Sequence, residues 1–250
     1  MQQKVRLDRL LVERGLVESR ERAAALVMAG SVDVDGQRVD KPGRAVPSDA
    51  SIRLRADPFP YVGRGGVKLA AALDHFEISA SGRTVLDVGA STGGFTDCML
   101  QRGAALVFAV DVGYGQLDMR LRRNPRVRVL ERRNIRYMRP ADLDPRPDLA
   151  AIDVSFISLR IVLPVVATLL SPPREVLTLV KPQFEVGRKE VGKGGLVKDP
   201  ALHQRVLNEI AALGAPIGLE VGAPFPSPIR GAKGNREFFL HFRQPTGGGL

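Results

Sequence analysis

The chain has 250 residues, enough for one ordinary catalytic domain and a small appendage, and its hydrophobic content of 44% supports a packed core. Lys and Arg number 37 against 27 Asp and Glu, and the net charge of +10 favours a polyanionic partner, either nucleic acid or an anionic membrane surface. A single cysteine, Cys98, excludes a disulfide framework and a thiolate metal cluster, and His75, His203 and His241 show no ligand spacing, so no metal is expected. The amino-terminal stretch Met1-Gln-Gln-Lys-Val-Arg-Leu-Asp8 is charged where a secretory signal needs an apolar core, and no run of about 18 apolar residues occurs. A cytoplasmic protein with no membrane association is expected.

Residues 1–58 read as a small α+β module. Leu7, Leu10, Leu11 and Leu16 recur at helical spacing, Gly15 ends that helix, and Ser19 is placed to cap a second helix from Arg20 to Ala29, which Gly30 stops. The alternating run Ser31 to Val39 turns at Asp35-Gly36, a hairpin signal, and Ala50 to Leu54 offers one more strand. The phrases Arg6-Leu-Asp-Arg-Leu-Leu, Ser19-Arg-Glu-Arg-Ala-Ala, Gly30-Ser-Val-Asp-Val-Asp-Gly and Lys41-Pro-Gly resemble an S4 domain, an RNA-binding module. Arg6, Arg9, Arg20, Arg22 and Lys41 can present a cationic face to RNA phosphates; this segment's own charge is nearly balanced, so any one of them reads equally well as a solvated helix face, while their distribution favours binding by the module as a whole. Residues 55–61, with Pro58 and Pro60, read as a stiff connector.

Residues 59–243 alternate helix and strand, which predicts a Rossmann-like, mostly parallel sheet with helices on both faces and a ligand site at the carboxyl ends of the strands. Helices are expected over Lys68–Phe76, Phe95–Arg102, Gln116–Arg123, Leu159–Leu170 and Pro200–Leu213. Strands are expected over Thr84–Val88, Leu106–Val110, Val127–Leu130, Asp148–Asp153 and Glu175–Lys181, with two late ones near Ile217–Pro224 and Glu237–Phe242. The first strand breaks into a turn carrying Gly89, Ser91, Gly93 and Gly94, where a ligand can approach the backbone and the following helix aims its free N–H groups.

A glycine turn after a strand also serves dinucleotides, so the acids decide the reading. Asp87 just before the turn repels a pyrophosphate and attracts a sulfonium and an ammonium, and Asp111, closing the next strand, is placed to hold a ribose diol. These point to S-adenosyl-L-methionine, with Asn134 placed to read adenine and Phe95 and Val112 lining the pocket.

Asp153 and Lys181 close strands and Glu237 opens one, so all three face the same crevice, with Lys68 on the helix beside it. Together they match the Lys-Asp-Lys-Glu tetrad of ribose 2′-O-methyltransferases of the FtsJ/RrmJ type. With the S4-like module in front, and with Gly89-Ala-Ser-Thr-Gly-Gly-Phe-Thr, Asp111-Val-Gly-Tyr-Gly-Gln-Leu, Asp153-Val-Ser-Phe-Ile-Ser-Leu and Leu179-Val-Lys-Pro-Gln-Phe-Glu-Val-Gly, the chain resembles the TlyA (haemolysin A-like) family. The resemblance implies 2′-O-methylation of a cytidine in ribosomal RNA. Lys181 is the expected base, its neutral form favoured by the second ammonium and by burial and opposed by the carboxylates. Lys68 is expected to position the hydroxyl, and Asp153 and Glu237 to orient the lysines.

Net charge over residues 117–139 is +7, and Arg64, Arg133, Arg136, Arg188 and Lys189 are candidate RNA contacts near the crevice. The Gly-rich run 187–198 reads as a mobile lid, residues 227–236 as a second substrate loop and residues 244–250 as a disordered tail. A target ribose inside a folded subunit has to be exposed, so nucleotide flipping is expected. Two other classes compete: a non-catalytic RNA-binding assembly factor, and a membrane-active haemolysin, against which stands the lack of any long amphipathic helix. A base methyltransferase more often has Asn/Asp-Pro-Pro-aromatic where Asp153-Val-Ser-Phe stands. Oligomeric state is not encoded legibly, and monomer is the default.

Overall fold

The computed structural model describes residues 4–17, 20–28, 30–54, 60–231 and 234–245, and the chain separates into two compact units, Met1–Pro60 and Tyr61–Leu250. Expectations for Ser19, Ala29, most of the 55–61 connector and residues 246–250 fall outside the described residues.

The first unit runs β1 (Lys4–Arg6), α1 (Leu7–Glu13), α2 (Arg20–Met28), β2 (Val32–Val34), β3 (Gln37–Arg38), β4 (Ala45–Pro47) and β5 (Ile52–Leu54). Leu7, Leu10 and Leu11 meet Ala23, Leu26 and Val27 of α2 and the valines of the strands in a single core. Leu16 is not part of that stripe: α1 ends at Glu13, Gly15 takes φ +64°, and Leu16 is left largely exposed beyond the turn. Asp35 and Gly36 both have positive φ, the geometry that matches strand twist, and they close the β2–β3 hairpin. The antiparallel pair β1–β4 was not anticipated, because three-residue strands are too short to show an alternation.

The second unit contains α3 (Gly65–His75), β6 (Thr84–Val88), α4 (Gly94–Gln101), β7 (Leu106–Asp111), α5 (Met119–Arg122), β8 (Val127–Glu131), β9 (Leu149–Ile152), α6 (Leu159–Leu169), β10 (Glu175–Val180), α7 (Pro200–Ala211), β11 (Glu220–Val221), β12 (Phe225–Pro226) and β13 (Phe238–Arg243). Its sheet has the order β11-β13-β10-β9-β6-β7-β8, with β12 paired to β13; β8 through β10 are parallel and β13 is antiparallel. The central strands are apolar runs because both faces are covered. Val162, Leu163 and Val166 of α6 and Val206 and Ile210 of α7 bury one face, and Leu69 and Leu73 of α3 with Cys98 and Met99 of α4 bury the other. The chain winds outward from β6 through β7 and β8, then returns to β9 and winds the opposite way, so a crevice opens between the ends of β6 and β9.

Two elements are shorter than expected. The helix over 116–123 contracts to four residues because Asp118 caps it, accepting from Arg120 N at 2.9 Å, while Leu117 packs beneath the glycine turn. The strand over 217–224 becomes the two-residue β11, with Pro224 and Pro226 unable to donate further ladder bonds. Among the described residues no helix is long and apolar enough to cross a membrane.

At the amino ends of the strands, Arg83 donates to Asp148 Oδ1 at 3.0 Å and to Asp148 O at 3.1 Å and pairs with Glu175, which also meets His241 Nε2 at 2.8 Å. Burial works against ionisation of Glu175, but His241 and Arg83 outweigh it and hold its carboxyl below the usual range. Arg83→Ala is expected to lower unfolding free energy by about 1–3 kcal/mol in urea titrations, since it strips partners from half-buried carboxylates. Arg102→Ala, which breaks the more exposed pair with Asp74, is expected to cost less than about 1 kcal/mol in the same assay.

Candidate active site

The glycine turn is shaped by close approach on every side. Gly89 has φ +89°, and a Cβ there would lie 2.4 Å from Asp153 O, so the ends of β6 and β9 touch only because position 89 has no side chain. Gly93 has φ +97°, and a Cβ on it would fall 2.2 Å from Leu121 Cδ1; it shapes the turn and seats it on α5. Gly94 opens α4 against the backbone of Gly63, Gly65 and Gly66. Asp87 lies beneath this turn and does not reach its mouth. It shares the strand face of Val85, which α3 and α4 cover, and is fully buried with Thr96 Oγ1 donating to its Oδ2 at 2.6 Å and no partner for Oδ1. Burial, reinforced by repulsion from Asp153 and Asp111 and opposed by Thr96, pushes its carboxyl up to about 7.

A cavity of about 880 Å³ opens beyond the turn, lined by Val88, Gly89, Ser91, Asp111, Val112 and Asn134, together with Gln116, Arg133, Ile135 and Arg136 and the segment Asp153–Ser158. Asp111 is held rigidly at the end of β7: Ser91 N donates to Oδ2 at 2.8 Å and Gly113 N to Oδ1 at 2.7 Å. Asn134 Oδ1 accepts from Arg136 N at 3.1 Å and caps the short 3-10 turn Ile135–Tyr137, which leaves its amide group available beside the cavity. Phe95 is mostly core, stacked on Phe239, but lines a smaller recess of about 150 Å³ with Gly65, Gly94 and Asp153. Gly89, Ser91 and Asp153 border both spaces. The donor set suits a nucleoside carrying a positive charge: an oriented carboxylate, apolar walls, an amide and a backbone turn without side chains.

Lys68, Asp153, Lys181 and Glu237 gather at this end of the sheet. The β10–β13 register pairs Val180 with Phe238, which sets Lys181 and Glu237 side by side just past the ladder. Lys68 Nζ lies 2.6 Å from Glu237 Oε2, and Lys181 Nζ lies 2.5 Å from Asp153 Oδ1 and donates to Ser155 Oγ at 3.0 Å. Both lysine side chains are only 12% exposed. Glu237 is nearly buried and presses on Gly231, where a Cβ would stand 1.8 Å from its Oε1. Two ammonium–carboxylate pairs therefore share one rim of the crevice, a set that can accept, hold and return a proton and can stabilise an oxyanion.

Several features escaped the sequence reading. Gln116, Ser155, Phe156 and Ser158 line the cavity; they lie inside the phrases that carry the family resemblance but are not singled out there as site residues. Phe156 is 91% exposed with φ +64°, and its ring lies tilted against that of Phe184 with centroids 4.9 Å apart; an aromatic residue in a left-handed backbone has no signature in a lone sequence. Asn235 is buried, accepts from Val197 N at 3.0 Å and donates to Gly195 O at 2.8 Å, while His203 Nε2 bonds Val197 O at 2.9 Å. These bonds tie Gly195 and Val197, in the run expected to move as a lid, to the loop that leads into Glu237 and to α7. Residues 232–233 of the second loop lie outside the described residues.

Arg6 and Arg20 converge on one buried acid, Asp8, at 2.8 and 3.2 Å, yet remain more than half exposed. The Arg6 hydrogen bond, with help from Arg20, holds the Asp8 carboxyl at about 2 against the opposing effect of burial. Arg9 pairs with Glu13 on the helix surface, Arg22 is half-buried, and Lys41 and Arg64 are exposed. Arg133 and Arg136 are exposed on the cavity rim, and Arg188 and Lys189 are exposed on the loop after Lys181.

Comparison with known proteins gives two domain matches: the FtsJ-like methyltransferase model over residues 61–244 and the S4 domain model over residues 5–52. The chain is 50% identical to YqxC of Bacillus subtilis, whose name assigns it provisionally to the rRNA methyltransferases, over 98% of this chain and 88% of that one. It is 46% identical to the 16S/23S rRNA (cytidine-2′-O)-methyltransferase TlyA of Mycobacterium tuberculosis, over 98% of this chain and 92% of the relative. Among solved structures, a hemolysin-named protein of Streptococcus thermophilus superposes with a TM-score of 0.77 at 44% identity, covering 98% of this chain and 90% of that one.

The burial of Asp87 generates a pH signature. Its carboxyl stays protonated in the folded state up to about 7 but ionises near 3.8 when exposed, so its contribution to stability falls as pH rises between those values. Asp87→Asn removes the effect. The variant is expected to gain on wild type by up to about 4 kcal/mol between pH 4 and pH 8 in denaturant titrations, and parallel stability curves would show that Asp87 is not held neutral.

Proposed function

The chain belongs to the FtsJ-like methyltransferase family, in the branch that carries an S4 domain and includes the TlyA proteins, and on that premise we propose that it methylates the ribose 2′-hydroxyl of a cytidine in ribosomal RNA, using S-adenosyl-L-methionine. The observation that carries this reading is the pairing of two lysines with two carboxylates at the edge of a cavity whose other wall is the glycine turn. A pure RNA-binding factor has no use for a carboxylate pair inside a basic groove, since those charges oppose phosphate binding.

In this reading Asp111 receives the ribose hydroxyls of the methyl donor, Asn134 the adenine edge, and the Gly89–Gly94 turn the amino-acid portion. When bound, the donor supplies a methyl carbon on a positive sulfur, and the electrons of the broken bond return to that sulfur as a neutral thioether. Lys181 takes the proton of the 2′-hydroxyl on Nζ as the oxygen attacks in line. Lys68, fixed by Glu237, holds the attacking oxygen and offsets its developing charge. Asp153 fixes the rotamer of Lys181, and the product ammonium is stabilised in the same pair. The cationic residues on the rim, Arg133 and Arg136, and those after Lys181, Arg188 and Lys189, grip the backbone around a flipped nucleotide. The S4 unit adds a sequence-independent grip through Arg6 and Arg20, whose forks Asp8 orients.

Transfer of radiolabelled methyl to purified ribosomal subunits tests this. Wild type is expected to label one or both subunits, and Lys181→Ala to lose at least about 100-fold in rate while still binding the donor. Label that persists in Lys181→Ala would remove this residue from the base role, and no label on any RNA with the donor bound would favour an assembly factor.

A further inference from the structure

The tetrad leaves open what aims the base. Lys181 Nζ lies 2.5 Å from Asp153 Oδ1 in an ion pair that is not aligned as a hydrogen bond, and its directed hydrogen bond goes to Ser155 Oγ at 3.0 Å. In the neutral amine one N–H bond stays on Ser155 Oγ while the Asp153 carboxylate repels the lone pair, so the lone pair is turned away from both. We propose that Ser155 is a positioning residue for Lys181: its hydroxyl, with the Asp153 carboxylate, fixes the rotation about Cε–Nζ and directs the lone pair of the base at the incoming 2′-hydroxyl. This rests on the assignment of Lys181 as base.

Three features show that the position of Ser155 is imposed by its surroundings. Ser155 lines the large cavity, on a wall it shares with Asp153 and Gly89. Phe156 follows it with φ +64°, a conformation an aromatic residue adopts only when its surroundings demand it. The far end of the same segment is tied back to the lysine's own loop. Ser158 Oγ donates to Glu185 Oε2 at 2.6 Å and Leu159 N to Glu185 Oε1 at 2.8 Å, while Arg160 Nη1 reaches Glu185 Oε2 at 3.0 Å. Glu185 lies four residues beyond Lys181, and its side chain is only 2% exposed. The segment that carries Ser155 and the segment that carries Lys181 are therefore fastened at both ends, by Lys181 with Asp153 and Ser155 at one and by Glu185 at the other. A spacing set twice is what a directed hydrogen bond requires.

Ser155 is exposed, so its substitution leaves the core untouched. Without the hydroxyl, Nζ keeps Asp153 but can turn about Cε–Nζ, and the lone pair then spends part of its time away from the substrate. The test measures single-turnover methyl transfer to ribosomal RNA across pH, with S-adenosyl-L-methionine affinity by calorimetry and RNA affinity by filter binding. Ser155→Ala is expected to slow transfer about 10-fold at saturating RNA and donor, with both affinities within about twofold of wild type, and Ser155→Thr, which keeps a hydroxyl, to recover to within about threefold. A Ser155→Ala rate equal to wild type at every pH, a Ser155→Thr rate as low as that of alanine, or a loss confined to donor affinity each overturns the proposal. Lys181→Ala in the same series separates the two claims. If it is inactive while Ser155→Ala is normal, only the positioning role fails; if it transfers at the wild-type rate, the base assignment fails and takes this proposal with it.

Discussion

The contact on which the rest of the site depends is the one between position 89 and the carbonyl of Asp153. A Cβ at Gly89 would sit 2.4 Å from that oxygen, so the ends of β6 and β9 can meet only with glycine there. The consequence is geometric. The glycine turn and the segment that carries Asp153 share a wall, and Gly89, Ser91 and Asp153 border both the large cavity and the small recess. Because the strand order reverses between β6 and β9, no helix crosses this point to fill it. In-line displacement needs its two reactants within about 3–3.5 Å, and in the proposed reaction the meeting of β6 and β9 is what would bring them that close.

Electrostatics then divides the labour. Each lysine of the crevice has its own carboxylate, so the pairs can be treated as separate devices: Lys68 with the nearly buried Glu237, and Lys181 with the more accessible Asp153. The more accessible pair is the one that also contacts the cavity wall through Ser155. Asp87, by contrast, is matched by a hydroxyl and not by a lysine. It lies under the turn with an unpartnered oxygen, and the protein bears the cost of burying an acid that only Thr96 satisfies. A cation brought to the turn would favour its ionised form. In the S4 unit the same economy recurs on a smaller scale, with one buried carboxylate, Asp8, presenting two guanidinium forks.

How much of this could be read in advance follows from the kind of signal each residue leaves. The glycine turn, Asp111 and the ends of β9 and β10 stand out because buried parallel strands are apolar runs, and a polar residue that closes such a run must face the crevice. The burial of Asp87 was not legible, since a continuous apolar strand does not say which of its two covered faces a given residue joins. Ser155 and Phe156 belong to a phrase that carries the family resemblance, but their geometry was not legible because it arises from a left-handed backbone turn and from a fastening residue, Glu185, some 27 positions after its partner Ser158. Asn235 was missed for the same reason: a buried amide that bridges two loops looks like any loop asparagine. The reading of residues 187–198 as a lid rests on glycine content, which reports backbone freedom and does not announce the bonds that Gly195 and Val197 make to Asn235 and His203.

The central claim is that a ribose oxygen, and not a base atom, is the acceptor. It is tested most directly by methylating ribosomal RNA with isotopically labelled donor, digesting the product to nucleosides and identifying the labelled species by mass spectrometry. The account requires label in 2′-O-methylcytidine, and label carried on the base of any nucleoside would contradict it.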